Sequence, residues 1–115
     1  VSDNTFVICQ VESAKAANNI DEIVKVDGLD MIFIGPFDLS ASLGTPAKFE
    51  NPEHQRLMKK TIEATKAAGK YLGVTPYGTN SMVDLYSQGF DLVISLADVG
   101  MIRDAAQALA DQKPK

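Results

Sequence analysis

The chain has 115 residues, of which 45% are hydrophobic and 23% charged, a composition that fits one globular domain with enough apolar side chain to bury a core. A net charge of −4, with both signs mixed along the chain, excludes the basic face that nucleic acid or an anionic membrane would need; small molecules or other proteins are the expected partners. One cysteine, Cys9, excludes an intrachain disulfide and favours a reducing, cytoplasmic setting, and no stretch reads as a signal peptide or a membrane span. The chain lacks an initiator methionine and enters a strand within about five residues, so a piece of something longer is expected.

Thr5 to Glu12 predicts a first strand, with Phe6, Ile8, Gln10 and Glu12 on one side of it. Ser13 is suited to cap the helix that follows, in which Ala14, Ala17, Ile20 and Val24 recur at helical spacing, Asn18-Asn19 is a candidate break and Gly28 the stop. The apolar run Met31-Ile32-Phe33-Ile34 then reads as a strand buried on both faces, the kind found in parallel sheets. It ends at Gly35-Pro36 and delivers Asp38 just past its carboxyl end, the edge where α/β folds place their chemistry.

Leu39 to Glu50 reads as a loop, and Asn51-Pro52-Glu53 as a helix start with cap, first-turn proline and early acid. That helix runs through Leu57, Met58, Ile62 and Thr65 to Gly69, with His54, in its first turn, facing solvent. Tyr71 to Thr75 is a third strand, and Thr79 or Asn80 caps a helix carrying Met82, Leu85 and Tyr86 as far as Gly89. Asp91 to Leu96 is the fourth strand, after which Asp98 caps a last helix with Met101, Ala105 and Leu109 facing inward. Four strand-helix units in strict alternation demand a parallel sheet with right-handed crossovers, and four are half of an eight-unit barrel.

From the residues alone, Glu12 reads equally well as a ligand or a solvated acid, and Asp38 as a ligand or a cap for Leu39-Ser40-Ala41. Asp98 reads more readily as a cap than as a ligand, and Cys9 as a small buried filler. Gly35 either allows close approach of a ligand to the backbone or makes a tight turn. Thr75, Ser95 and Leu96 end strands on the same rim as pocket lining.

Gln10-Val11-Glu12-Ser13, followed by Gly35-Pro36-Phe37-Asp38-Leu39-Ser40 and Leu43-Gly44, resembles the HpcH/HpaI aldolase family, metal-dependent pyruvate aldolases related to citrate lyase β subunits. The resemblance implies that residues 1–115 are a partial domain, the carboxyl-terminal half (strands 5–8) of a TIM-type (β/α)8 barrel. It implies that Glu12 and Asp38 ligate a divalent metal (Mg²⁺, Mn²⁺ or Co²⁺), a donor set that suits hard cations. Gln10 would contact the metal's water and substrate, and Gly35, Pro36, Phe37 and Asp38 would line the pyruvate site, Phe37 through its backbone N–H. The family's general-base His and carboxylate-clamping Arg fall in the half not present here, so no catalytic residue is assigned in this chain. The implied activity is that of a lyase cleaving 4-hydroxy-2-oxo acids to pyruvate and an aldehyde, by a homo-oligomer, with the isolated half inactive. The alternatives are an oxaloacetate decarboxylase or CoA-ester lyase using the same site, and a non-catalytic half-barrel that binds metal or merely associates.

Overall fold

The structure, a computed structural model, describes residues 4–95 and 97–112, so the reading of Leu96 as rim lining lies outside the described residues. Four strands, β1 (Ile8–Val11), β2 (Met31–Ile34), β3 (Tyr71–Val74) and β4 (Leu92–Val93), form one parallel sheet in the order β1-β2-β3-β4. Each strand therefore pairs with its neighbour in sequence, with Val11 opposite Ile34 and Ile34 opposite Val74. The connections carry α1 (Ala14–Asn18), α2 (Ile20–Ile23), α3 (Pro36–Ser42), α4 (Pro52–Ala67) and α5 (Met82–Ser87), and α6 (Asp98–Ala110) closes the order.

Helices α1 to α5 lie on one face of the sheet, because a single core joins Val11, Ile32, Ile34, Leu72, Val74 and Val93 from the strands to Ala17, Ile20, Leu39, Leu57 and Leu85 from the helices. Cys9 packs partly buried against this layer, as expected of a small apolar filler. β2 is buried along its whole length. Its Met31 and Phe33 belong to the opposite face, where Gly73 makes room for them: a Cβ there would stand 2.5 Å from the Phe33 ring. That opposite face also carries Phe6, Ile8, Tyr71 and Ile94, all about half exposed, with the Phe6 and Tyr71 rings 5.7 Å apart.

Local chemistry explains most boundaries. The Ser13 hydroxyl accepts from Ala16 N–H, and the polar pair at Asn18-Asn19 splits the first helical stretch into α1 and α2. Asn51 Oδ1 accepts from Glu53 N–H ahead of Pro52, and Gly69, at φ 66°, ends α4. A repeated device anchors the amino ends of the strands. In Gly28-Leu29-Asp30 and again in Gly89-Phe90-Asp91, the aspartate accepts a backbone N–H from the preceding strand's entry, Val7 to Asp30 at 2.7 Å and Leu72 to Asp91 at 2.8 Å.

Several expectations are corrected. The stretch after Gly35 is not a loop from Leu39 onward: Pro36 has its φ set for a first helical turn and needs no N–H there, so the Gly-Pro break starts α3. Neither Thr79 nor Asn80 caps α5; Ser81 does, in a capping box where it and Asp84 bond reciprocally. Only Leu85 of α5 is buried, Met82 and Tyr86 being exposed. Among the described residues of the fourth strand only Leu92 and Val93 are in the ladder, and Asp91, Ile94 and Ser95 are not. α6 has no buried residue, since no described element covers Met101, Ala105 or Leu109, and its N-cap is Ala97; Asp98 bonds only the N–H of Val99 next to it.

Candidate functional site

The carboxyl ends of β1 and β2 meet at one corner of the sheet. Gly35 N–H donates to Val11 C=O at 3.1 Å, which locks the residue after β2 against the end of β1. Glu12 follows directly on Val11, on the face of Ile8 and Gln10, opposite the helices. Gln10 Nε2 donates to Glu12 Oε2 at 2.7 Å, so the two polar side chains predicted to share that face do so, in contact. This bond orients the amide and leaves the carboxylate's other oxygen open.

Gly35 underlies this pair. A Cβ built on it would stand 3.0 Å from Glu12 Cβ and 3.3 Å from both Gln10 Nε2 and Glu12 Oε2. The space a side chain would need is thus already taken by Glu12 and Gln10, which corrects the simpler idea that this glycine is kept open for a ligand. Pro36 is buried and turns the chain into α3. Phe37 and Asp38 follow in the first turn, both exposed. Asp38 does not cap the helix, whose N-cap is Gly35, and its carboxylate has no hydrogen bond or ion pair among the described residues. Glu12 and Asp38 are therefore two carboxylates delivered from the ends of adjacent, in-register strands, one held by an amide and one free.

Thr75 and Ser95 lie just beyond β3 and β4 on the same rim, each partly buried. Both arginines are paired on helices: Arg56 of α4 with Glu53, donating also to Asn18, and Arg103 of α6 with Asp104. No group of three or more His, Cys, Asp or Glu side chains comes together among the described residues. Two carboxylates with open surroundings still fit a hard divalent cation that keeps water or substrate at its other positions.

Two residues of this corner were not legible from the sequence. Ser40 is fully buried; its hydroxyl donates to Phe37 C=O at 2.6 Å and accepts from Ala47 N–H at 2.8 Å, tying α3 to the turn where Ala47 adopts φ 61°. His54, read as solvent-facing, is 1% exposed, with Nε2 3.0 Å from Pro36 C=O. Its place on the stripe with Leu57, Met58, Thr61 and Thr65 was the available signal, because three- and four-residue steps put it on the buried side of α4. Beside it, Phe49 and Tyr77 wall a cavity of about 580 Å³ floored by Met58 and Ile62, and burial pushes the Tyr77 phenol above its ordinary value of 10.0.

Comparison with known proteins identifies the fold and the family. The 2-keto-3-deoxy-L-rhamnonate aldolase of Escherichia coli (strain K12) is 39% identical over 105 residues, covering 91% of this chain and 39% of the aldolase. An HpcH/HpaI aldolase/citrate lyase family protein from Burkholderia cenocepacia J2315 superposes with a TM-score of 0.80 at 33% identity, over 93% of this chain and 42% of that one. The citrate lyase β subunit of M. tuberculosis, solved with oxaloacetate and magnesium, shares the fold at 20% identity and a TM-score of 0.62, over 83% of this chain and 48% of its own. The chain thus spans less than half the length of these relatives. The family profile of HpcH/HpaI aldolase/citrate lyase matches residues 1–105, and the chain belongs to that family.

Proposed function

We propose that this chain is the metal- and substrate-holding half of an aldolase that cleaves a 4-hydroxy-2-oxo acid to pyruvate and an aldehyde, built as strands five to eight of a (β/α)8 barrel. The observation that carries the reading is the pair of carboxylates, Glu12 and Asp38, leaving the carboxyl ends of adjacent parallel strands with Gln10 bonded to the first. The strand order without reversal, the helices on one face and the open opposite face all support a barrel half.

Glu12 and Asp38 would hold a divalent cation such as Mg²⁺, Mn²⁺ or Co²⁺, which supplies Lewis-acid polarisation to a 2-oxo group. Gln10 keeps the Glu12 carboxylate turned toward the rim and presents a polar group to a bound water or substrate. Gly35 and Pro36 would seat Gln10 and Glu12 from below, so a small 2-oxo acid would meet those two side chains rather than the Gly35 backbone itself. The N–H groups of Phe37 and Asp38, in the first turn of α3 and so without intrahelical acceptors, are available to the substrate's carboxylate. The resemblance puts the general-base His and the carboxylate-clamping Arg in the half not present here, so turnover would require that complementary half.

Calorimetric titration with Mn²⁺, with and without pyruvate, tests the site. One weak site is expected, weakened by Glu12→Gln and by Asp38→Asn and tightened by pyruvate. Equal affinity of the parent and the double substitution would remove it.

A further inference from the structure

We infer that His54 is a positioning residue: its imidazole holds the first turn of α3, and through it Asp38, by donating Nε2–H to the Pro36 carbonyl. The inference rests on the site reading only for the consequence of moving Asp38. The coupling of His54 to α3 stands on contacts of its own.

Because a carbonyl can only accept, the 3.0 Å contact assigns a hydrogen to Nε2, and in the neutral ring Nδ1 is then an acceptor. Nδ1 is buried and has no hydrogen-bond partner among the described residues. A leucine or phenylalanine on this stripe of α4 would fill the same side of the helix without stranding a polar atom, so packing alone disfavours the ring. What the histidine adds is the bond to Pro36. The ring is also fixed in plane by two edge-on neighbours, Phe49 at 5.5 Å and Tyr77 at 6.3 Å between centroids, which sets the direction of the N–H.

The acceptor is well placed for this role. Pro36 is the first residue of α3 and lies two positions before Asp38. The next carbonyl, that of Phe37, is taken by Ser40 within α3 itself, whereas the Pro36 bond comes from another element, 18 residues on. α3 has only seven residues and makes no cap bond through a side chain at its amino end, so its first turn relies on outside support.

The test compares the full chain with His54→Phe, which keeps an aromatic ring against Phe49 and Tyr77 but has no donor, and His54→Gln, whose amide can reach the same carbonyl. Amide hydrogen exchange is followed at residues 37–42, with β2 as internal standard, and Mn²⁺ affinity is measured by titration. Loss of one neutral hydrogen bond corresponds to roughly a three- to tenfold change. His54→Phe should speed exchange in α3 and weaken Mn²⁺ by that factor while β2 is unchanged, and His54→Gln should restore both to within about twofold. Unchanged α3 exchange in His54→Phe overturns the inference, as does a uniform acceleration that includes β2 or a failure of His54→Gln to restore α3. A parent that binds no Mn²⁺ overturns the site reading instead, and the exchange comparison, which contains no metal, still decides the positioning.

Discussion

Replacing Gly35 by alanine adds one methyl group at the most crowded point of the rim. The new Cβ would lie 3.0 Å from Glu12 Cβ, whereas ordinary contact begins at 3.4 Å, so the ends of β1 and β2 must separate by about 0.4 Å. The obstacle is the root of the Glu12 side chain rather than its flexible tip. Separation is opposed by the Gly35 N–H bond to Val11 C=O at 3.1 Å. Overpacking of this kind costs about 1–3 kcal/mol, and the loss of glycine's freedom in the unfolded chain returns about 0.4–1 kcal/mol, so a net destabilisation of about 1–2 kcal/mol is expected. In a chain of this length that lowers the melting temperature by roughly 4–8 °C. The displaced Glu12 also loses its register with Gln10, for which a drop in Mn²⁺ affinity of about tenfold is expected. Thermal melts and calorimetry read both effects. Gly100→Ala is the control, because nothing lies within 4 Å of a Cβ there and the residue is helical; it should lose neither stability nor metal. A Gly35→Ala chain that melts with the parent and binds Mn²⁺ equally would refute the account of this corner.

Two further outcomes follow from other parts of the molecule. The face carrying Phe6, Ile8, Tyr71 and Ile94 should drive self-association, with no aldol cleavage by the isolated chain; in sedimentation the double substitution Ile8→Lys, Ile94→Lys should return it to a monomer, and a cooperatively melting monomeric parent would contradict this. The Ser81 hydroxyl and N–H hold the Asp84 carboxyl below its ordinary value of 3.8, so the capping box contributes fully above that value and is lost as pH falls through the lowered one. Carboxyl NMR titration should give Asp84 a midpoint below 3.8 that rises on Ser81→Ala, and an unmoved midpoint would refute the coupling.

How much of this was legible depends on which physical signal each residue gives. The apolar run at Met31 to Ile34, the Asn51-Pro52 start of α4 and the Ser13 cap are local signals, and the structure repeats them. The adjacency of the carboxyl ends of β1 and β2 was legible because strict alternation of strands and helices puts successive strand ends side by side. α3 was missed because Gly-Pro was weighed as a break, although proline at a first helical position is equally a beginning. Ser81 was passed over although Asp84, three residues on, completes the capping-box pattern. His54 was judged by its place in the first turn when its spacing from Leu57 and Met58 already put it inside. The apolar residues of α6 show that periodicity identifies a face without identifying what covers it.

The unbroken strand order also has a kinetic meaning. Every ladder joins strands consecutive in the chain, the widest pairing being that of β2 with β3, so no strand waits for a distant partner before it can pair. Such a sheet can grow in the order of synthesis, each new unit adding to the edge left by the one before, as short sequence separation favours fast closure. The last addition is then the most weakly held. β4 has two ladder residues and α6 buries none of its own, so opening should begin there and spread back toward β2, leaving the corner of Glu12, Gly35 and Asp38 among the last parts to come apart.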